Sequence, residues 1–125
     1  MALTHQDDLR NTLCATTCAR VDSGSVNPAG RVVFFDAANN ICINIGLANP
    51  AFQTPLAGIA MANPMVNDLA PVAGAIPVRY EVQNRDGVWC FRDAVGPGTS
   101  VGFPGIPIPV GAAARLSNFF YRTPL

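Results

Sequence analysis

The stretch that decides the fold is VRYEVQNRDGVWCFRD, residues 78–93. Apolar and polar side chains alternate in its first half, which is typical of a strand with one buried face. Asp86-Gly87 follows, a dipeptide that favours the tight turn of a β-hairpin. We therefore predict two antiparallel strands joined at residues 86–87, with Arg85 paired to Val88.

This turn also sets the register of the hairpin. Val82 should lie opposite Phe91 on one face, and Glu81 opposite Arg92 on the other. Cross-strand pairs of apolar residues and of opposite charges both stabilise a sheet, and a slip by one residue would break both pairs. Trp89 and Phe91 are two residues apart, so we expect both rings on the core side.

Further strands are predicted on both sides of this hairpin. Residues 31–35 are β-branched and aromatic, and residues 41–45 alternate isoleucine with smaller or polar side chains. Residues 58–62 and the aromatic residues 115–122 complete the set. In the last strand, Phe119 and Tyr121 should share one face.

The N-terminal part has a different period. Leu9 and Leu13 are four residues apart, and Asp22-Ser23-Gly24 provides a stop. We predict an amphipathic helix over residues 5–20. The whole chain, residues 1–125, is then a single mainly β domain: an antiparallel β-sandwich or jelly-roll-like domain with a short N-terminal helix.

A Gly/Pro-rich stretch interrupts the strands at residues 97–110. Pro107 and Pro109 both lack an N–H on the same edge of an extended chain, so this stretch cannot be a central strand. We predict an extended arm. With the terminal strand, the arm is the predicted partner interface, formed by large apolar and aromatic side chains: Phe103, Ile106, Ile108, Phe119, Phe120 and Tyr121.

The composition indicates a chain that associates with other proteins. Half of the 125 residues are hydrophobic, 13% are charged, and the formal net charge is zero. Little charge repulsion keeps such chains apart, so we expect a homo-oligomer or a bound partner. A neutral chain without lysine lacks the basic surface that binds nucleic acid and the polybasic patch that binds a membrane. It also lacks the lysine that a P-loop requires.

The start of the chain has no basic and apolar segments of a secretory signal, and no stretch is long enough to span a membrane. We therefore expect synthesis in a cytoplasm. In that compartment the four cysteines should be reduced.

Three sequence patterns match catalytic or metal-binding motifs, and each also has a simpler structural interpretation. Residues 98–102 match G-x-S-x-G, but the only histidine, His5, lies far upstream, whereas that motif needs a later one. Asp22-Ser23-Gly24 matches the D-S-G of aspartic proteases, which act as dimers when the chain is this short. A glycine-rich loop and a helix stop are the favoured interpretations, with a dimeric protease using Asp22 as the enzyme alternative.

The third pattern is the set of cysteines. Cys14 and Cys18 share a helix face, and with Cys42 and Cys90 they match a Cys₄ zinc site in number but not in spacing. Buried thiols that pack as small apolar side chains are favoured. We therefore assign no catalytic residue, metal or cofactor.

The order of these segments resembles short structural proteins of tailed bacteriophages, of the capsid cement or decoration type. The resemblance covers most of the chain. It consists of the helix, the strand ending at Asp36, and the stretches 49–52, 58–63, 78–96 and 110–112 that precede the last strand.

This resemblance implies a non-enzymatic virion protein that binds the major capsid protein, and itself, at the capsid surface, after synthesis in the host cytoplasm. A tail or neck subunit is the structural alternative. The number of prolines in residues 97–109 and the four cysteines depart from the pattern.

Overall fold

A computed structural model describes residues 6–95, 108–111, 113, 114, 116 and 119–123. The described chain is mainly β with one helix. Its elements are α1 (Asp7–Val21), β1 (Arg31–Phe35), β2 (Ile41–Gly46), β3 (Ile59–Met61), β4 (Arg79–Gln83), β5 (Trp89–Ala94) and β6 (Phe120–Arg122). The predicted helix and the predicted strands are therefore all present, with shifted ends.

Four strands form the main sheet in the order β2-β1-β4-β5, and every neighbouring pair is antiparallel. Val32 on β1 lies between Ile45 and Val82, and all three side chains are buried. One face of the sheet is thus apolar and carries the core.

Strands β3 and β6 pair antiparallel in a separate two-stranded sheet. Helix α1 contacts β3, β5 and β6, so it lies on the core side with this second sheet. The two sheets do not close into one barrel. The mainly β, antiparallel fold class is confirmed, while a sandwich or jelly-roll topology stays a prediction.

Aromatic rings join the two sheets. The Phe119 ring contacts Tyr80 of the main sheet edge-on, with centroids 5.7 Å apart, and its centroid lies 6.1 Å from that of the Phe52 ring. The Tyr121 ring lies 4.6 Å from Phe91. Such ring pairs stabilise beyond the area they bury, so β6 is held to the main sheet by side chains.

Helix α1 buries a different face from the predicted one. Leu9 and Leu13 are more than 40% exposed, whereas Cys14, Cys18 and Val21 are buried. Burying a thiol as a small apolar group lets the helix approach β3 closely. The leucine spacing therefore identified the helix correctly but misidentified its core side.

The hairpin has the predicted register with a longer turn. Val82 lies opposite Phe91 and Glu81 opposite Arg92, as predicted. The Asn84 N–H donates to the Val88 carbonyl (2.8 Å), so the loop has three residues instead of two. A bulge between Val82 and Gln83 restores the register beyond it.

Because of the same bulge, the prediction that Trp89 lies on the core side is wrong. Its Cα is paired with Gln83, whereas Phe91 is paired with Val82, so the two rings lie on opposite faces of the sheet. One extra residue in a strand reverses the facing of the residues before it. Trp89 is consequently 49% exposed, while Phe91 packs against the core.

The hairpin turn is fastened to the loop that follows α1. The Asp86 carboxylate accepts from the N–H groups of Ser25 (2.9 Å) and Val26 (3.0 Å). The Arg85 Nε donates to the Asn27 carbonyl (2.6 Å). These two charge-assisted contacts link segments about sixty residues apart, which fixes the position of the turn.

Gly24→Ala should destabilise the fold more than Gly74→Ala does. Both glycines have positive φ, but a Cβ at Gly24 would lie 2.8 Å from the Asp86 carboxylate, whereas Gly74 has open space around it. We expect a loss of about 1 kcal/mol for Gly74→Ala and at least ~2 kcal/mol for Gly24→Ala. Urea unfolding monitored by circular dichroism measures both, and equal losses would contradict the contact with Asp86.

Asp86→Asn should lower the melting temperature at pH 7 but not at strongly acidic pH. The Ser25 and Val26 N–H groups hold the pKa of the Asp86 carboxyl below its usual 3.8. Its stabilising contribution is therefore complete above that value and is lost as the pH falls through the lower, folded-state pKa. Melting curves of both proteins from pH 7 downward should converge, and a pH-independent difference would refute this account.

Candidate interaction surface

A segment without regular structure covers the outer edge of β2. The Val66 N–H donates to the Gly46 carbonyl (2.8 Å), and the Val72 N–H donates to the Cys42 carbonyl (3.0 Å). Between these contacts, the Asp68 carboxylate accepts from the Asn44 N–H (2.9 Å). Residues 66–72 therefore run along β2 and bond three of its outward-facing backbone groups.

Ile108 and Ala114 are hydrogen-bonded to residues 68–75. The Gly74 N–H donates to the Ile108 carbonyl (2.7 Å), and the Ile108 N–H donates to the Ala75 carbonyl (2.9 Å). Asp68 and Ala114 exchange two further backbone bonds of 2.8 Å. The end of the predicted arm, at Ile108, is thus hydrogen-bonded to residues 74 and 75 of the same chain.

Six apolar side chains are exposed on these segments in the described part of the chain. We call them the β2 rim; they are 40–91% exposed and comprise Ile41, Val66, Leu69, Val72, Ile76 and Val110. Eight other large apolar side chains are exposed elsewhere, but these six lie on segments that are hydrogen-bonded to one another, which makes the rim a candidate interaction surface.

The free energy gained by burying this surface can be compared with the free energy cost of association. Covering all six side chains contributes roughly 6–12 kcal/mol, scaled from full burial of aliphatic residues. Association costs about 4–15 kcal/mol. A single contact of this kind is therefore close to balance, and repeated contacts in an assembly would make it stable.

Sequence reasoning missed the β2 rim. Residues 64–75 follow neither a helix nor a strand period, and prolines interrupt them, so the sequence pattern assigns them to no element. The available signal is composition: Val66, Leu69 and Val72 are large apolar residues in a segment without periodicity.

The prediction that Phe119 belongs to the partner interface is wrong. This residue is 2% exposed and packs between the two sheets, so it belongs to the core and offers no surface to a partner. The expectation failed because an aromatic residue before a terminal strand looks the same whether it meets a partner or the chain's own core.

Phe120 and Tyr121 are half-buried beside a groove between β5 and β6. The groove has a volume of about 260 Å³, and Tyr80 and Phe91 line it together with these two residues. Ile108 is half-buried at the edge of the core. Phe103 and Ile106, with most of the predicted arm 97–110, lie outside the described residues, as do His5 and residues 98–102.

Asp22 lies at the C-cap of α1, and its Oδ1 accepts from the Ala51 N–H (2.9 Å). The Asp-Ser-Gly stretch thus ends the helix, as the helix-stop interpretation predicts. This geometry does not supply the strand-borne carboxylate that the aspartic protease hypothesis requires.

The four thiols are free, and Cys14 and Cys18 are adjacent on the buried face of α1. Among the residues that the structure describes, no three potential metal ligands lie close enough together to hold an ion. Burial and the neighbouring Cys14 raise the pKa of the Cys18 thiol to about 12. Burial also raises the pKa of Cys42 and Cys90.

Cys18 should therefore react slowly with Ellman's reagent in the native protein. The thiolate is the reactive species, and at pH 8 a thiol with a pKa of about 12 stays protonated. We expect labelling at least ~100-fold slower than in urea-unfolded protein. Peptide mass spectrometry after timed alkylation locates the modified residues, and rapid native labelling of Cys18 would contradict its burial.

Within the described part of the chain, no helix is both long and apolar enough to cross a lipid bilayer. Comparison with known proteins found no family model, no curated protein and no solved structure that matches this chain.

Proposed function

We propose that this protein is a structural subunit that binds neighbouring proteins in a larger particle through the β2 rim. The observation that carries the proposal is the exposure of six large apolar side chains on one side of a small, net-neutral domain. Burying such an apolar surface against another protein removes it from water, which is favourable.

The low charge supports the same role. Only 13% of the residues are charged and the formal net charge is zero, so little long-range repulsion opposes close packing of copies. Because one rim contact is near energetic balance, the protein would bind weakly alone and firmly where many sites are repeated. A closed shell offers such an array.

The resemblance in segment order extends this proposal to a bacteriophage capsid. In that form, the protein is a cement or decoration protein, its partners are the major capsid protein and itself, and its location is the capsid surface. A tail or neck subunit would use the same surface at a different position. Immunogold labelling of intact particles distinguishes the two positions.

Leu69→Asp should weaken assembly about tenfold or more. Leu69 is 81% exposed in the β2 rim, and covering it should contribute about 1.4 kcal/mol or more, which is a factor of ten in binding. Self-association is measured by sedimentation equilibrium, and binding to particles by co-sedimentation with shells stripped of the protein.

Leu56→Asp is the matched control, because Leu56 is 78% exposed in the turn before β3, outside the rim. It should assemble as the unmodified protein does, and both variants should keep the same melting temperature. The proposal fails if the two variants lose binding equally, or if the unmodified protein neither self-associates nor binds to shells.

A further inference from the structure

The face of the main sheet opposite the core carries a group of arginines with aromatic neighbours. Register places Arg31 on β1, Arg79 on β4 and Arg92 on β5 of this face. We call it the arginine face; its other members are Phe35, Glu81, Gln83 and Trp89. At β2 it adjoins the β2 rim, because Ile41 is paired with Phe35.

Two of the guanidinium groups lie over aromatic rings. The Arg79 Cζ is 4.1 Å from the centroid of Phe35, and the Arg92 Cζ is 4.2 Å from the centroid of Trp89. Stacking of this kind holds a guanidinium in place while its N–H groups stay available at the edges. Less side-chain freedom is then lost when a partner binds.

The remaining hydrogen bonds use few of the available donors. The Arg31 Nε donates to the Gln83 Oε1 (2.9 Å), and the Arg79 Nη2 donates to the Asn39 Oδ1 (2.8 Å). Each guanidinium has five N–H donors. The face thus presents a surplus of fixed, positively charged donors.

One carboxylate, Glu81, lies opposite Arg92 on this face, and its Oε1 also accepts from the Gln83 Nε2 (2.9 Å). Three positive charges against one negative charge leave a net charge of +2. The face is cationic even though the whole chain is neutral.

Most of the chain's acidic side chains hold its own backbone in place. Five described aspartates accept N–H bonds from turns, caps or loops: Asp22, Asp36, Asp68, Asp86 and Asp93. Asp8, by contrast, is exposed on α1. Because most carboxylates serve the chain's own loops, a different protein is favoured over a second copy as the source of an acidic surface.

A shallow recess adjoins the two stacked arginines. Its volume is about 410 Å³, and Val78, Arg79, Tyr80, Arg92, Asp93 and Ala94 line it. Because most of this lining is apolar and Asp93 belongs to it, the stacked guanidinium groups, and not the recess, are the sites for carboxylates. Arg, Trp and Tyr are also the residues that most often dominate binding energy at protein interfaces.

We propose that the arginine face binds an acidic strip on a partner protein, with Asp or Glu side chains bonded to the guanidinium groups of Arg79 and Arg92. Nucleic acid is the other anionic macromolecule that such a face would attract. Binding of nucleic acid rests on neutralising many phosphates, whereas this chain has no net positive charge. Guanidinium groups also lie over Phe35 and Trp89, so these rings are less open to bases, and the arrangement favours carboxylates.

The test uses the full chain and a fluorescein-labelled peptide of ten glutamates, with binding measured by fluorescence anisotropy at low salt. We expect saturable binding that weakens as salt rises, and Arg79→Gln and Arg92→Gln each to weaken it about tenfold. Trp89 is the only tryptophan. Its emission should change in the unmodified protein as the peptide binds.

Arg20→Gln is the matched control, because it removes the same charge from an exposed position on α1. It should change binding less than twofold, and all variants should keep the unmodified melting temperature. Arg31→Gln replaces either test variant that fails to fold. An equal loss in Arg20→Gln, no saturable binding, or tighter binding of a labelled ten-nucleotide oligothymidylate that the same substitutions abolish would overturn the proposal.

Discussion

The packing of Phe119 against Tyr80 and Phe52 is the contact on which the arrangement of the two sheets depends. A two-stranded sheet of three-residue strands is not stable in water by itself. Strands β3 and β6 persist because their side chains complete the core of the larger sheet. Since the small sheet and α1 both occupy that side, the opposite face is left for the arginines.

The sequence was informative where the partners of a residue lie close along the chain. Val82 and Phe91 are joined through one turn, so alternation and a turn dipeptide were enough to predict their pairing. The helix and its stop at Asp22 were predictable for the same reason. The loop length was not, yet the bulge absorbed the extra residue without changing that pairing.

Prediction failed where the deciding contact is remote. Leu13 is more hydrophobic than cysteine, yet Cys14 and Cys18 are buried and Leu13 is exposed. Which side chains fit against the sheets depends on residues far along the chain, so the local sequence pattern does not predict it. The exposure of Trp89 depends on one inserted residue. The candidate surfaces combine segments distant in sequence, so composition indicated association without indicating where it occurs.

The way in which residues 66–72 cover β2 also limits how copies of this protein can grow into fibres. A bare strand of six residues would present a row of unpaired amide and carbonyl groups, ready to add a strand from any neighbouring chain. Here Val66, Asp68 and Val72 already occupy that edge through bonds that follow no continuous ladder. These bonds favour contact between side chains at this edge over extension of the sheet by a strand of another chain.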